Sequence, residues 1–293
     1  MSSLAEPADL MEAAAPRRWR PASYLFAAVC VAVIAIMLFP ILMALMASLK
    51  TGADAVAVPP HYLPSTLSLE NYAKVFQYQA GLRVYLFNSL AVASLTILLC
   101  LALAIPAGYG LAAFPLPGKE VIFLMLLLGL MAPYQALLTP LYRLFSTLGL
   151  TNSYLGLAVI HTILQLPFSI YLMRNSFEAL PRELAEAADI DGAGSLQTLW
   201  HIFLPAALPS IVTLVLFAFI TSWNEFIAAL IFMNRENGFT VPVMLVGVRS
   251  GHFGSVDWGA VEAGVIISIL PCFLIYLLLQ KYYVSGFLTG AIK

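Results

Sequence analysis

The chain has 293 residues, of which 61% are hydrophobic and only 10% are charged. Soluble domains carry about 25% charged residues, so this composition excludes an ordinary soluble protein. The formal net charge of −1 provides no strongly basic face, which argues against nucleic-acid binding. Three cysteines, Cys30, Cys100 and Cys272, lie in apolar segments and are interpreted as small core residues rather than disulfides or metal ligands.

Six apolar segments are long enough to cross a lipid bilayer, which takes about 20 residues of helix. The first follows Arg17, Arg18 and Arg20 and exceeds the roughly 7–15 apolar residues of a cleaved signal peptide, so it is predicted to remain as an anchor. The sequence therefore predicts an all-α integral membrane protein. The six predicted spans are 23–46, 86–113, 121–141, 153–173, 208–232 and 262–281.

The arginines before the first span predict a cytoplasmic N-terminus, because the first helix usually decides orientation. Six spans then return the C-terminus to the same side. The predicted organisation is an N-terminal tail at 1–22 and a six-span domain at 23–293. Within that domain, 174–207 is predicted to be a cytoplasmic loop and 282–293 a cytoplasmic tail.

Proline or glycine interrupts most of these spans, and each proline removes one backbone donor. Such interruptions favour a bundle that moves or lines a path. The alternative is ordinary composition, because both residues are commoner in membrane helices than in soluble ones. The residues concerned are Pro40, Pro106, Gly108, Gly110, Pro133, Pro140, Pro167 and Pro271.

The polar stretch from Glu183 to Pro209 is patterned as two short helices outside the bilayer. Pro181 suits the first turn of the first helix, and Glu183 and Glu186 lie near its positive end. Gly192 and Gly194 are predicted to end that helix. The first helix carries a polar face of Glu183, Glu186 and Asp189 and an opposite apolar face of Leu184, Ala187, Ala188 and Ile190.

Ser195 is predicted to cap the second helix, whose apolar face comprises Leu196, Leu199, Trp200 and Phe203. Small alanines, Ala185, Ala187, Ala188 and Ala193, favour close approach of another protein surface over a solvated loop without a partner. A metal site is a weaker alternative, because the acids match no known loop geometry. Its ligands would be Glu183, Glu186, Asp189, Asp191 and His201.

Several motifs together resemble a known family. The run Glu186-Ala187-Ala188, Gly192-Ala193, Ile202, Leu204-Pro205 and Pro209 resembles the EAA motif of ATP-binding-cassette (ABC) importer permeases. Over about residues 23–293 the chain is similar to carbohydrate permeases of the maltose type, and to the second permease subunit of that branch. Further matching stretches are Asn88-Ser89, Pro106-Ala107-Gly108-Tyr109, Pro117-Gly118-Lys119, Pro140-Leu141-Tyr142, Leu148-Gly149-Leu150-Thr151-Asn152, Pro167-Phe168, Trp223-Asn224-Glu225 and the tail from Gly286 to Lys293.

This resemblance implies a type I importer permease in a bacterial inner (plasma) membrane, with the polar loop forming coupling helices in a cleft of an ATPase subunit. It implies a second permease subunit, two ATPase subunits, an external solute-binding protein and a sugar-like solute. Leu199 departs from the family, which often has an aromatic residue there. The implied coupling residues are Glu183, Glu186, Ala187, Ala188, Asp191, Gly192, Ala193, Leu199, Leu204 and Pro205, with Gly290 and Lys293 in a tail that reaches the ATPase.

No catalytic pattern is present in the sequence. Gly118-Lys119 is followed by Glu120, so there is no phosphate-binding P-loop, and the four histidines form no metal motif. The chain is therefore predicted to bind no cofactor, with ATP and magnesium bound by the partner subunits. An ion-coupled secondary transporter, a membrane-embedded enzyme and a scaffold without transport are the rival predictions.

Candidate residues for a solute path lie in the fourth and fifth spans. Glu225 is ionisable within a span, which indicates function by default, although it could instead be hydrated or pair with a neighbouring helix. His161 and Gln165 share a helix face and either line a path or hydrogen-bond another helix. Aromatic side chains that could form walls for a sugar are Tyr134, Tyr142 and Trp223, and Asn224 is a further candidate for the path.

Overall fold

The computed structural model describes residues 21–55, 57, 59, 61–249 and 256–291. The N-terminal arginines, most of the predicted tail at 1–22, and Lys293 lie outside the described residues. The described chain folds into fourteen α-helices with 3₁₀ turns at 129–131 and 236–238 and a π turn at Leu199–Phe203. The helices are α1 Pro21–Ser48, α2 Gly52–Ala55, α3 Glu70–Phe76, α4 Leu82–Ala113, α5 Lys119–Leu128, α6 Tyr134–Thr147, α7 Tyr154–Glu178, α8 Arg182–Ile190, α9 Ser195–Thr198, α10 Leu204–Ala206, α11 Leu208–Asn224, α12 Ile227–Phe232, α13 Val241–Arg249 and α14 Trp258–Ala291.

Four helices, α1, α4, α7 and α14, are long and apolar enough to cross a membrane. Two bent helix pairs raise the number of candidate crossings to six. One pair, Lys119–Met131 with Tyr134–Thr147, is bent by 99°; the other, Ser195–Ala206 with Leu208–Asn224, is bent by 78°. The predicted all-α membrane fold is confirmed, with four to six crossings rather than six straight helices.

The predicted third and fifth spans are both interrupted. The third breaks at Ala132–Pro133, between a 3₁₀ turn and α6, where proline has no N–H to continue the helical hydrogen bonds. The fifth breaks at Glu225 and Phe226, between α11 and α12. In contrast, Pro40, Pro106, Pro140, Pro167 and Pro271 lie inside helices that continue through them.

The centre of the fold is the pair α4 and α7, against which α11 packs. The two helices approach most closely at Gly108, where a Cβ atom would lie 2.6 Å from the Cβ of Met173 and 2.9 Å from the nitrogen of Arg174. Only glycine fits such a crossing. Helix α14 packs on α11 and α13, and α1 packs along α14, leaving most of its own apolar surface exposed.

Candidate functional site

Helix α7 continues to Glu178, so residues 174–178 of the predicted loop are helical and the loop element comprises 179–207. Pro181 immediately precedes α8 rather than occupying its first turn, and Glu183 lies in that turn. At the other end Gly192 has φ of +74°. The Ala193 N–H donates to the Ala188 carbonyl at 2.9 Å, and the Gly192 N–H to that of Asp189 at 3.1 Å. This double hydrogen bond closes the helix as a Schellman motif, which favours glycine at the left-handed position.

The second helix differs from the prediction in two ways. Ser195 is its first helical residue, and Gly194 occupies the capping position, where its N–H donates to the Gln197 side-chain oxygen at 3.0 Å. The predicted single apolar face is also wrong. Leu199 and Phe203 are buried, whereas Leu196 and Trp200 are 72% and 65% exposed. The π turn at Leu199–Phe203 changes the rotation per residue, so the α-helical spacing used for the prediction does not apply there.

An aromatic cluster fixes the loop element to the ends of α4 and α7. The ring of Phe203 lies 5.1 Å from that of Tyr109 and 5.8 Å from that of Phe177, and Tyr109 and Phe177 are 6.0 Å apart. All three contacts are edge-to-face, the arrangement that aromatic quadrupoles favour. The loop element is therefore packed onto the bundle rather than suspended from it.

Apolar side chains remain uncovered on the outer surface of the loop element. Ile190 is 86% exposed, and Leu184, Leu196 and Trp200 are also exposed. Of the predicted coupling residues, Ala188 and Leu199 are buried in the bundle contact, and Ala193 and Leu204 are half-buried. The exposed members are Glu183, Glu186, Ala187, Asp191, Gly192 and Pro205.

A cleft of about 630 Å³ lies between α8 and the turn that follows α4. Its charged lining residues are Lys119, Glu178, Arg182, Glu186 and Asp189. Because the lining carries both positive and negative charges, it favours neither an anionic nor a cationic ligand. No group of three or more metal-ligating side chains occurs in the described parts of the chain, so the acids of α8 do not converge as the alternative metal site requires.

Arg174, which was not predicted as a site residue, joins two helices, α5 and α7, at this end of the bundle. Its Nη2 donates to Glu120 Oε1 at 2.6 Å and its Nε to Glu178 Oε1 at 2.8 Å. Its guanidinium lies 4.0 Å from the centre of the Phe123 ring. Arginine suits such a site because its planar fork can bind two carboxylates and stack on an aromatic ring.

The candidate path residues lie in a buried cluster at the break between α11 and α12. Glu225 accepts hydrogen bonds from the N–H groups of Ala228 at 2.8 Å and Ala229 at 3.0 Å, which start α12. Tyr134 donates to the same carboxylate at 3.1 Å, and His161 Nε2 lies 3.3 Å from it. Helix capping by Glu225 was not predicted, although an acidic residue at the start of an apolar helix is a known sequence signal.

The other path candidates lie in different environments. Trp223 is buried and donates to the Ser268 carbonyl at 3.1 Å, so its ring packs inside the bundle. Asn224 is exposed and donates to the Ile220 carbonyl at 2.8 Å. Gln165 is buried, and its amide nitrogen has no partner within the described chain. Tyr142 is half-buried and packs edge-on against Phe232 at 5.5 Å.

The end of the bundle opposite the loop element is organised by asparagine side chains. Asn88 donates to the carbonyls of Asn237 and Phe239 at 2.8 Å each, and accepts from Tyr154 at 2.5 Å. Asn152, at φ of +55°, accepts from the Asn234 N–H at 3.1 Å. These contacts give a structural reason for two of the stretches on which the resemblance rests.

Asp54 organises the loop between α1 and α3 at the same end. The side chain and N–H of Ser65 both donate to its carboxylate, the N–H at 2.7 Å, and His61 lies 3.1 Å away. Hydrogen bonds from the Ser65 side chain and backbone, followed by the contact with His61, lower the pKa of Asp54 to about 2. The carboxylate therefore stays ionised in moderately acidic solution.

Comparison with known proteins places the chain in a functional context. Residues 104–286 match the model of a family described as binding-protein-dependent transport system inner membrane component. The Bacillus subtilis (strain 168) protein named "Probable ABC transporter permease protein YurM" is 36% identical over 255 residues, covering 87% of this chain and 83% of that one. The Thermococcus litoralis protein named "Trehalose/maltose transport system permease protein MalG" is 34% identical over 259 residues, covering 88% and 92%.

The fold also occurs in a solved structure. A chain from the crystal structure of a bacterial ABC transporter involved in the import of the acidic polysaccharide alginate superposes with a TM-score of 0.77. The superposition covers 90% of this chain and 99% of the other, at 23% sequence identity. The likeness is one of fold. It extends well beyond the segment that matches the family model, into the first helices.

Proposed function

The chain belongs to the family of binding-protein-dependent transport system inner membrane components, and we propose that it is driven by ATPase subunits that bind its loop element. The resemblance predicted from the EAA motif is thereby confirmed at the level of an ABC transporter permease. The chain is a multi-pass membrane component of a transport system and not a catalytic subunit. The family match gives no support to an ion-coupled secondary transporter.

The observation that carries the ATPase proposal is the combination of anchoring and exposure in the loop element. Phe203 and Leu199 fix it to α4 and α7, whereas Ile190, Leu196 and Trp200 present apolar surface outward. Large apolar side chains exposed beside charged residues are typical of a protein–protein interface. A partner that moves this element would move the ends of α4 and α7 with it, because the aromatic contacts leave little freedom between them.

The proposed assembly contains a second permease subunit, two ATPase subunits that bind ATP and magnesium, and an external solute-binding protein. ATP binding would draw the two ATPase subunits together and carry the loop element with them. Transport then follows by alternating access, because ATP binds the two states of the assembly unequally. The loop element and both termini are assigned to the cytoplasm. The C-terminal segment with Gly290 and Lys293 is a proposed further ATPase contact.

We propose a sugar or sugar-like solute, because the Thermococcus litoralis relative is named for trehalose and maltose transport. A sugar needs donors, acceptors and aromatic surfaces along its path. The half-buried ring of Tyr134 and the exposed amide of Asn224 offer such groups, as does the amide nitrogen of Gln165, which has no partner within the described residues. The burial of Trp223 favours a packing role for that residue.

The test compares two nearby glycines of the loop element that differ in backbone conformation. A Cβ atom meets nothing within 4 Å at either Gly192 or Gly194, but only Gly192 has positive φ. Gly192→Val would strain the end of α8 by about 1–2 kcal/mol or more, whereas Gly194 has φ of −72° and accepts valine. In the reconstituted assembly we expect Gly192→Val to lower both solute uptake and receptor-stimulated ATP hydrolysis, with normal amounts of protein in the membrane.

Gly194→Val is the matched control and is expected to behave like the natural chain. Gly192→Asn should retain part of the activity, because asparagine tolerates the left-handed conformation better than valine. Equal uptake by Gly192→Val and Gly194→Val would contradict the role of the loop element. Uptake by the natural chain without any ATPase subunit would contradict the proposal as a whole.

A further inference from the structure

The breaks in the third and fifth predicted spans meet at a single carboxylate. Tyr134 is the first residue of α6, directly after the break at Pro133. Glu225 occupies the break between α11 and α12. The Tyr134 hydroxyl donates to Glu225 Oε1 at 3.1 Å, so the two interruptions are bonded to each other although they are 91 residues apart in the chain.

Each oxygen of Glu225 has at least two neighbours. Oε1 accepts from Tyr134 and from the N–H of Ala228. Oε2 accepts from the N–H of Ala229 and faces His161 Nε2 at 3.3 Å. The side chain is 7% exposed. A carboxylate that is buried to this extent is stable only when donors surround it.

His161 extends the cluster to α7 and to a second residue of α11. Its Nδ1 lies 2.8 Å from Ser222 Oγ, and its side chain is 1% exposed. Ser222 in turn lies 3.4 Å from Thr96 Oγ1 on α4. The cluster therefore connects the two breaks with the central helix pair α4 and α7. Helix α7 ends at Glu178, and α8 begins at Arg182 after only three intervening residues.

We propose that Glu225 is a positioning residue that holds both helix breaks in register with α7, so that movement of the loop element reaches α6 and α12 together. This inference rests on the proposed function, because the movement at issue is the one that ATPase subunits would impose. Glu225 need not contact the solute to act in this way. Its contacts with Tyr134 on one side and His161 on the other couple the two breaks to movement of α7.

Tyr134→Phe tests the link without disturbing the helix cap. The variant keeps the ring and the two N–H donors of α12 but removes the hydroxyl that binds Glu225. The matched control is Tyr142→Phe, the same change two turns later on α6, where the structure gives the hydroxyl no hydrogen-bond partner within the described chain. The measurement is solute taken up per ATP hydrolysed by the reconstituted assembly, together with its thermal unfolding temperature.

We expect Tyr134→Phe to lower uptake per ATP by about tenfold, as loss of one hydrogen bond to a charged group permits. Tyr142→Phe should leave both uptake per ATP and the unfolding temperature unchanged. A purely structural role would lower the unfolding temperature without changing uptake per ATP. That result, or equal uptake per ATP in the two variants, would overturn the inference.

His161 provides a second, independent comparison. The terminal amide of glutamine reaches about as far as histidine Nε2, whereas that of asparagine ends near Nδ1. We therefore expect His161→Gln to retain uptake per ATP, because its amide can reach the Glu225 carboxylate that Nε2 faces at 3.3 Å, and His161→Asn to lose it. The reverse order would contradict the proposed contact. Absence of ATP-driven uptake in the natural assembly would instead contradict the proposed function, so the two failures are distinguishable.

Discussion

Gly108 shows how one residue can determine the packing of the central helix pair. A Cβ atom at this position would approach the Met173 Cβ at 2.6 Å and the Arg174 nitrogen at 2.9 Å, and neither neighbour is the end of a flexible side chain. Gly108→Ala should therefore separate α4 from α7 or strain both. We expect a loss of about 1–3 kcal/mol in the free energy of unfolding, the usual effect of overpacking a tight core. Thermal unfolding of the purified chain in detergent measures it.

Gly110 is the control for this prediction, because it lies in the same helix two residues later and a Cβ atom there meets nothing within 4 Å. Gly110→Ala should be neutral or should stabilise the helix by up to about 1 kcal/mol. Equal unfolding temperatures for the two variants would contradict the tight crossing. The sequence marks both glycines as small residues within a span, but it does not distinguish the one at the crossing from the one in open space.

At the scale of the helical element, Arg174 ties α5 to the end of α7. Glu178 is on the same helix, whereas Glu120 comes from α5, so the guanidinium bridges two elements. Single changes, Glu120→Gln or Glu178→Gln, should each have little effect on the free energy of unfolding, because both acids are partly exposed and Arg174 keeps one partner.

The double variant should cost more than the sum of the two single changes, because a buried guanidinium would lose both partners. Denaturant unfolding of the four proteins in detergent gives the coupling energy directly. If the losses in unfolding free energy of the two single variants simply add up to that of the double variant, the two acids act independently and Arg174 does not join the helices. The Glu120→Gln and Glu178→Gln single variants act as each other's controls for the loss of one negative charge.

The loop element shows which parts of such a structure the sequence can predict. The end of α8 was predictable, because a left-handed turn favours glycine and Gly192 follows an amphipathic run. The π turn at Leu199–Phe203 was not, since no residue pattern identifies it and the α-helical spacing misassigned Leu196 and Trp200. Glu225 was recognised as an unusual acid within a span, but its hydrogen bonds to Tyr134 and α12 depend on residues distant in the chain.

At the scale of the whole molecule, hydropathy located the apolar segments well but could not reveal their bends. The predicted first span, 23–46, corresponds to α1 at Pro21–Ser48, and the last, 262–281, lies within α14. The third conceals a 99° bend, because hydropathy averages over the residues on both sides of Pro133 and carries no information on helix direction. The orientation of the bundle depends on charges outside the described residues, namely Arg17, Arg18 and Arg20, and so it remains a prediction.

This orientation can be tested by chemical labelling of two exposed positions at opposite ends of the bundle. Thr66, in the loop between α1 and α3, and Leu196, in the loop element, are both exposed. Each is replaced by cysteine in a chain whose three native cysteines are changed to alanine. With a membrane-impermeant maleimide we expect Thr66→Cys to react in intact spheroplasts and Leu196→Cys to react only after the membrane is opened. The chain without cysteine controls for background labelling, and the opposite pattern would place the loop element outside the cell, where no ATPase could reach it.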